Sequence, residues 1–344
     1  MLRAKSSQFS FYGNHIYARV IPKDHFLKLL DKTVDFSFVN ELCRDAYTPD
    51  FGRPAYGPEM MFKMIFLQFL YDVSDRRIEE EVNFNLVLKW FVGLAIDESP
   101  PDSSSLTRFR DRLGEELFTS IFNQIVEIAR EKGLVSDRLS IVDSTDVKAK
   151  VDTFTIKDNP DVSPDKDARH GYKSEKKPFF GYKAHASMDS DSELITKLDT
   201  TPGNTDDGKE FPEVVDTQSR MTTADKAYDS NKNHCLLRKK RTTSAIIIKK
   251  NRKSPRLRKH QMKPEIIAAQ RERPKIERKF AELKRFHGLN EARYWGLAKM
   301  AIQFTMTAIA CNLKRIVKLL FHQGCLVTSK PVSFHQGITV PILV

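Results

Sequence analysis

Cysteine is scarce in this chain: Cys43, Cys235, Cys311 and Cys325 are far apart and form no CxxC pair. That spacing argues against a zinc site and a disulfide framework, and suits ordinary thiols of a reducing cytosol. No basic-then-apolar signal opens the sequence, so no secretory leader is expected. Long apolar runs are missing too. The most apolar late stretch, Met300 to Cys311, contains Gln303, Thr305 and Thr307, and basic residues return at Lys314. It is too short and too polar to span a bilayer and predicts a buried helix. No internal repeat is present. With 344 residues, 40% hydrophobic and 30% charged, the chain is neither fibrous nor broadly disordered. It is long enough for one ordinary core domain and a smaller one.

Charge is what the sequence has in excess. The net charge is +12 and the isoelectric point about 9.4, which points to a polyanionic partner. The excess is local. Between Asn231 and Arg285 there are 20 Lys or Arg against four Glu, a net of +16, which leaves the rest of the chain at −4. Such density favours nucleic-acid phosphates over a merely solvated surface.

Patterning divides the chain near residue 135. Apolar spacing before it predicts helices: one or two within Lys23–Leu42, one from Pro58 through Leu70, one capped by Ser74 or Asp75, one over Asn85–Val92, one from Asp102 through Leu113, and an amphipathic one over Glu115–Lys132. Residues 48–58 form a turn-rich connector. After Gly133 the texture changes. Ile141-Val142 reads as a short strand, and 151–178 as a long polar loop. Phe179–Met188 and Glu193–Leu198 read as a hairpin, and Asp206–Ser219 as a helix. Met221–Ala224 follows as a strand, Asn231–Arg241 as a basic helix, and Thr243–Lys249 as an apolar strand. A basic loop then leads to a helix from about Pro264 to His287. The predicted class is α/β: a mixed sheet flanked by helices, preceded by a mainly α-helical N-terminal domain. The expected divisions are 1–135, 136–321, and a tail of 322–344.

Three acids stand out. Asp143 ends the run Leu139–Val142, Asp225 ends Met221–Ala224, and Glu277 lies in a predicted helix. Ligands collect at the carboxyl ends of strands in sheets of this kind, and oxygen-only donors suit Mg²⁺ or Mn²⁺. Two such ions can activate a nucleophile and stabilise a leaving oxygen at a phosphodiester. Arg273 and Lys284 lie four before and seven after Glu277, on the same helical face. Asp146 reads as a loop acid, Asp229 as a helix cap, His185 as a residue packed in or beside the sheet, and Trp295 as a core anchor. Glu282 is expected to face solvent or a basic neighbour. Arg76, Arg77, Arg108, Arg110 and Arg112 are open to two readings, phosphate contacts or exposed helix residues.

Four blocks of this sequence resemble bacterial insertion-sequence transposases of the DDE type. They are Ile141–Thr145, Phe180–His185 with Leu194–Thr196 and Thr201–Asn204, Ala224–Ser230, and the trio Arg273, Glu277 and Lys284. The trio matches a Tyr-Arg-Glu-Lys signature whose tyrosine position is Gln270 here. The resemblance implies a ribonuclease-H-like catalytic domain and a helical N-terminal transposase domain. It implies Asp143, Asp225 and Glu277 as catalytic residues holding two Mg²⁺ ions, with Mn²⁺ able to substitute. It implies cut-and-paste transposition on double-stranded DNA, at the terminal inverted repeats, by a homodimer in the bacterial cytoplasm. Arg273 and Lys284 would contact DNA, with Lys226, Tyr228, Lys249 and Lys250 grouped beside them. The alternatives are a catalytically inactive DNA-binding derivative and a ribonuclease-H-like nuclease without strand transfer.

Overall fold

A computed structural model describes residues 11–48, 55–152, 156, 162–174 and 177–322. The centre of the 48–58 connector, much of the 151–178 loop, Cys325 and the tail beyond His322 lie outside the described residues. The chain divides into two compact units, one running to Phe122 and resuming at Ile309, the other Asn123–Ala308.

The first unit is helical. It contains α1 (Phe11–Val20), α2 (Phe26–Thr33), α3 (Phe38–Leu42), α4 (Pro58–Tyr71), α5 (Asp75–Phe84), α6 (Leu86–Val92) and the start of α7 (Ser103–Glu131). Pro58 opens α4 where a missing N–H costs nothing. Met61, Phe62, Met64, Ile65, Phe66, Leu67 and Phe69 of α4 are all buried, so this helix is apolar nearly all round. Lys63 on the same helix is buried as well. Its ammonium meets Asp31 at 3.2 Å and Glu59 at 3.1 Å, over the rings of Phe36 and Phe91. Ser74 and Asn85 cap α5 and α6 by accepting from Arg77 N–H and Val87 N–H, each cap contributing roughly 1 kcal/mol. Gly114, at φ 63° and ψ −178°, breaks the helical path inside α7, where a side chain would be strained. Arg110 is not exposed. It is buried against Gln68 and ion-paired with Asp75, so it is a structural arginine of this unit.

The second unit is built on a six-stranded mixed sheet. Its strands are β1 (Leu139–Lys148), β2 (Arg169–Ser174), β3 (Lys177–Asp189), β4 (Ile195–Pro202), β5 (Met221–Ala224) and β6 (Thr243–Ser244). β3 pairs antiparallel with β1 on one side, and with β2 and then β4 on the other. β5 adds to β1 in parallel, and β6 to β5 in parallel. Four strands joined antiparallel, β1 to β4, extended by two parallel ones and flanked by helices, are the mixed sheet of a ribonuclease-H-like domain. The helices after the hairpin are α8 (Asp207–Val214), α9 (Asn231–Lys239), α10 (Pro255–Gln261), α11 (Pro264–Arg271), α12 (Pro274–Phe286) and the start of α13 (Leu297–His322), whose later part belongs to the first unit. Val142, Phe211, Val214, Ala224, Tyr228, Leu237 and Ile246 pack as one core cluster under the sheet. Three glycines hold backbones together at the β2–β3–β4 crossing. A Cβ on Gly181 would sit 2.1 Å from Val147 O, and one on Gly171 2.2 Å from Gly203 O.

Several expectations change. β1 is ten residues long, not a short strand ending at Val142, because pairing with β3 continues to Lys148. The apolar run Thr243–Lys249 is assigned as strand only at its first two residues. Even so, Ala245 N–H donates to Thr222 O and Ile247 N–H to Ala224 O, which prolongs the parallel ladder. The predicted helix Pro264–His287 is two helices, since Pro274 has no N–H to continue α11. The basic loop before it contains α10. Trp295 is 54% exposed, its indole N–H donating to Lys150 O, so it is not a core anchor. No disulfide joins Cys43, Cys235 and Cys311. No described helix is long and apolar enough to cross a membrane.

Candidate active site

The parallel ladder explains how two distant aspartates meet. β1 and β5 run in register from Leu139 opposite Met221 to Val142 opposite Ala224. The next residue on each strand is an aspartate, Asp143 and Asp225. Opposed residues of adjacent strands lie about 5 Å apart and point to one face. Asp143 is thus not past its strand, as expected, but on the part of β1 that β5 no longer covers. Asp225 does end β5, and its carboxylate accepts from Lys226 N–H at 2.7 Å as the strand turns into a helical turn over Lys226–Tyr228.

α12 packs against β1 and supplies the other charges. Its basic ends grip β1 at two points: Arg273 reaches Asp143 at 3.2 Å and Lys284 reaches Asp146 at 3.0 Å. Arg273 also lies 3.7 Å from Asp225, so one guanidinium bridges both aspartates. Glu277 sits in the first turn of α12 and is exposed. Its charge is felt at Asp143. Burial pushes the Asp143 carboxyl up to about 6, Arg273 and the Ser144 N–H pull it back, and Asp225 and Glu277 raise it further. The three carboxylates share one electrostatic field, with the Arg273 cation between two of them.

The donor chemistry fits a hard divalent ion, being oxygen only. Among the described residues, no group of three or more His, Cys, Asp or Glu could hold a metal as now placed.

The other expected residues fall into two groups. Lys226, Lys249 and Lys250 are exposed. Tyr228 is not: it is 1% exposed, packed on Phe211 with ring centres 5.7 Å apart. That places its ring in the core and removes it from any DNA-facing set. Asp146 is an ion-pair partner of Lys284 within β1 rather than a loop acid. Glu282 meets Lys279 at 2.9 Å, the basic neighbour expected. His185 is buried and bonded to Thr201 Oγ1 at 2.8 Å, and burial lowers its pKa to about 4. Asp229 closes the helical turn Lys226–Tyr228, its N–H donating to Lys226 O at 3.1 Å, but it does not cap α9. Ser230 caps α9 by accepting from Asn233 N–H, while Asp229 is buried in a separate network. Sequence gave no sign of that role, because its partners lie five to 23 positions away.

The mixed sheet and its flanking helices are of the ribonuclease-H-like class. The chain belongs to the family described as Transposase DDE domain, which matches residues 135–313, just over half of its length. The family described as Transposase domain (DUF772) matches residues 15–112. A solved piggyBac transposase synaptic complex with hairpin DNA is similar at 12% identity, covering 89% of this chain and 76% of that one, with a TM-score of 0.41. That likeness is too slight to bear on this fold.

Proposed function

We propose that this chain is an insertion-sequence transposase that binds element ends as double-stranded DNA and carries out metal-dependent strand cleavage and strand transfer by a cut-and-paste route. The observation that carries this reading is the register of β1 and β5, which sets Asp143 beside Asp225 under the influence of Glu277. Asp143, Asp225 and Glu277 are the residues that would hold two Mg²⁺ ions, or Mn²⁺ in their place. The chemistry a bound pair supplies is activation of an attacking oxygen and neutralisation of charge on the leaving 3′-oxygen.

The remaining work belongs to the chain's own side chains. Arg273, which reaches both aspartates, serves as a DNA phosphate contact beside the reacting bond. Lys284 holds the far end of α12 to β1 through Asp146 and lies on the same face as a second phosphate contact. The exposed Lys226, Lys249 and Lys250 line the edge from which Asp225 projects. Two ends must be paired for joining, so a homodimer is the working form, acting on bacterial DNA in the cytoplasm.

The test is incubation of the purified chain with DNA carrying the element ends and Mg²⁺. Nicked and joined products are expected from the wild type. Asp225→Ala and Glu277→Ala should lose both while still binding DNA. Cleavage without joined products would favour a nuclease lacking strand transfer, and no cleavage at any metal or salt condition would favour an inactive derivative. Normal cleavage by either variant would refute its role.

A further inference from the structure

Asp229 is a buried carboxylate four residues beyond Asp225, and the chemistry proposed above does not use it. Its side chain is fully covered. One oxygen is bonded to His234 Nε2 at 2.9 Å and ion-paired with Arg252 Nη1 at 2.7 Å. The other accepts from the backbone N–H of Lys249 at 2.8 Å. The other ring nitrogen of His234, Nδ1, lies 2.9 Å from Ser244 Oγ, so the imidazole is held at both ends. Arg252 is tied further: its other terminal nitrogen donates to Asn231 Oδ1, and its carbonyl accepts from Arg258 Nε at 3.0 Å. One acid thus organises the start of α9, the end of the β6 ladder and the basic segment after it.

The location of that segment matters. Ile247 N–H donates to Ala224 O, the residue before Asp225. The chain beyond Ile247 therefore leaves the sheet beside Asp225, at the same edge. Lys249 and Lys250 come next and are exposed, while the bond from Lys249 N–H to Asp229 folds their backbone back over the turn that follows Asp225. β6 is assigned over only two residues; beyond Ile247 the two lysines are placed by that bond together with Arg252 N–H donating to Lys249 O at 3.0 Å and Arg258 Nη2 to Lys250 O at 3.3 Å.

We propose that Asp229 is a positioning residue that sets Lys249 and Lys250 as phosphate contacts beside Asp225, so that the DNA strand next to the reacting bond is held by a basic loop shaped by one buried carboxylate. This rests on the DNA-transposase reading. It assigns Asp229 no contact with DNA or with the reacting atoms.

The experiment measures the dissociation constant of the full-length protein for duplex DNA of arbitrary sequence across a range of KCl. The proteins are wild type, Asp229→Asn, the double variant Lys249→Gln/Lys250→Gln, and all three changes combined. Each phosphate contact contributes about 0.9 to the slope of log affinity against log salt. Asp229→Asn and the lysine pair should each flatten the slope, by about 1 to 2, with roughly tenfold weaker binding at low salt. The combined variant should match the lysine pair alone, an interaction that a merely structural role would not produce. If Asp229→Asn fails to fold, Arg252→Gln, which leaves Asp229 its other two partners, should reproduce the flattened slope. A wild-type slope in the Asp229 or Arg252 variant, or effects that add in the combination, would overturn the proposal. A flat salt response in the wild type would instead sink the DNA reading itself.

Discussion

Replacing Asp143 with Asn should make the metal-free protein more stable while abolishing cleavage. The carboxyl is raised from an ordinary 3.8 to about 6, so folding takes up a proton on Asp143 at intermediate pH. Above pH 6 the carboxylate is ionised in both folded and unfolded chains, and the folded state carries the full cost of burying it. The difference between 3.8 and about 6 corresponds to roughly 3 kcal/mol as an upper figure. The Asp143 side chain retains 19% exposure, and solvent reduces this to about 1–2 kcal/mol. Asparagine keeps the shape without the charge. Thermal unfolding with EDTA at pH 7.5 should show the variant melting higher than wild type. At pH 5, below the folded value of about 6, Asp143 is mostly protonated and the gap should narrow. In an Arg273→Gln background the gain should be larger, because the guanidinium that offsets the burial is gone. Added Mg²⁺ should stabilise wild type and not the variant. A variant that melts lower at pH 7.5, or by the same amount at both pH values, would refute the reasoning.

Gly181→Ala should destabilise by several kcal/mol or prevent folding, since its Cβ would meet Val147 O at 2.1 Å and Ala149 N at 2.7 Å and both are backbone atoms that cannot turn aside; denaturant unfolding measures this, and near-wild-type stability would contradict the close approach. His185, ordinarily near 6.5 and lowered by burial to about 4, stays neutral in the folded chain while the unfolded chain gains a proton. Stability should therefore fall as pH drops from 6.5 towards 4, by up to roughly 3 kcal/mol, and His185→Gln should flatten that part of the profile. An unchanged profile would show that another group titrates there. Lys284→Met should loosen α12 from β1 by removing the partner of Asp146, with a loss of about 1–3 kcal/mol, while Arg278→Met on the exposed face of the same helix should change stability by less than about 0.5 kcal/mol; equal effects would contradict the clamp.

Local patterns were legible in the sequence where local physics decides. Met221–Ala224 is a strand because a short apolar run ends in a turn, and Pro58 starts α4 because proline fits the first helical turn. The break at Gly114 also follows from one residue. Long-range pairing was not legible. β1 reads as two apolar residues, yet its polar half is strand because β3 pairs with all of it. Tyr228 looks like a surface residue in a charged loop and lies in the core, because the turn after β5 folds under α8. Of the candidate site, the strand-end setting of the two aspartates and the helical face shared by Arg273, Glu277 and Lys284 were readable; the separations of the three acids carried nothing by themselves. That Arg273 bridges two aspartates depends on the parallel register and could not be read from spacing.

The most direct measurement loads the protein with Fe²⁺ in place of Mg²⁺ and lets ascorbate and peroxide cut the polypeptide next to the bound ion, with the fragments mapped by mass spectrometry. Cuts are expected close to Asp143, Asp225 and Glu277, suppressed by excess Mg²⁺ and missing in Asp143→Asn. Cuts confined to other segments, or a pattern that Asp143→Asn leaves intact, would contradict a shared cation site at these three acids.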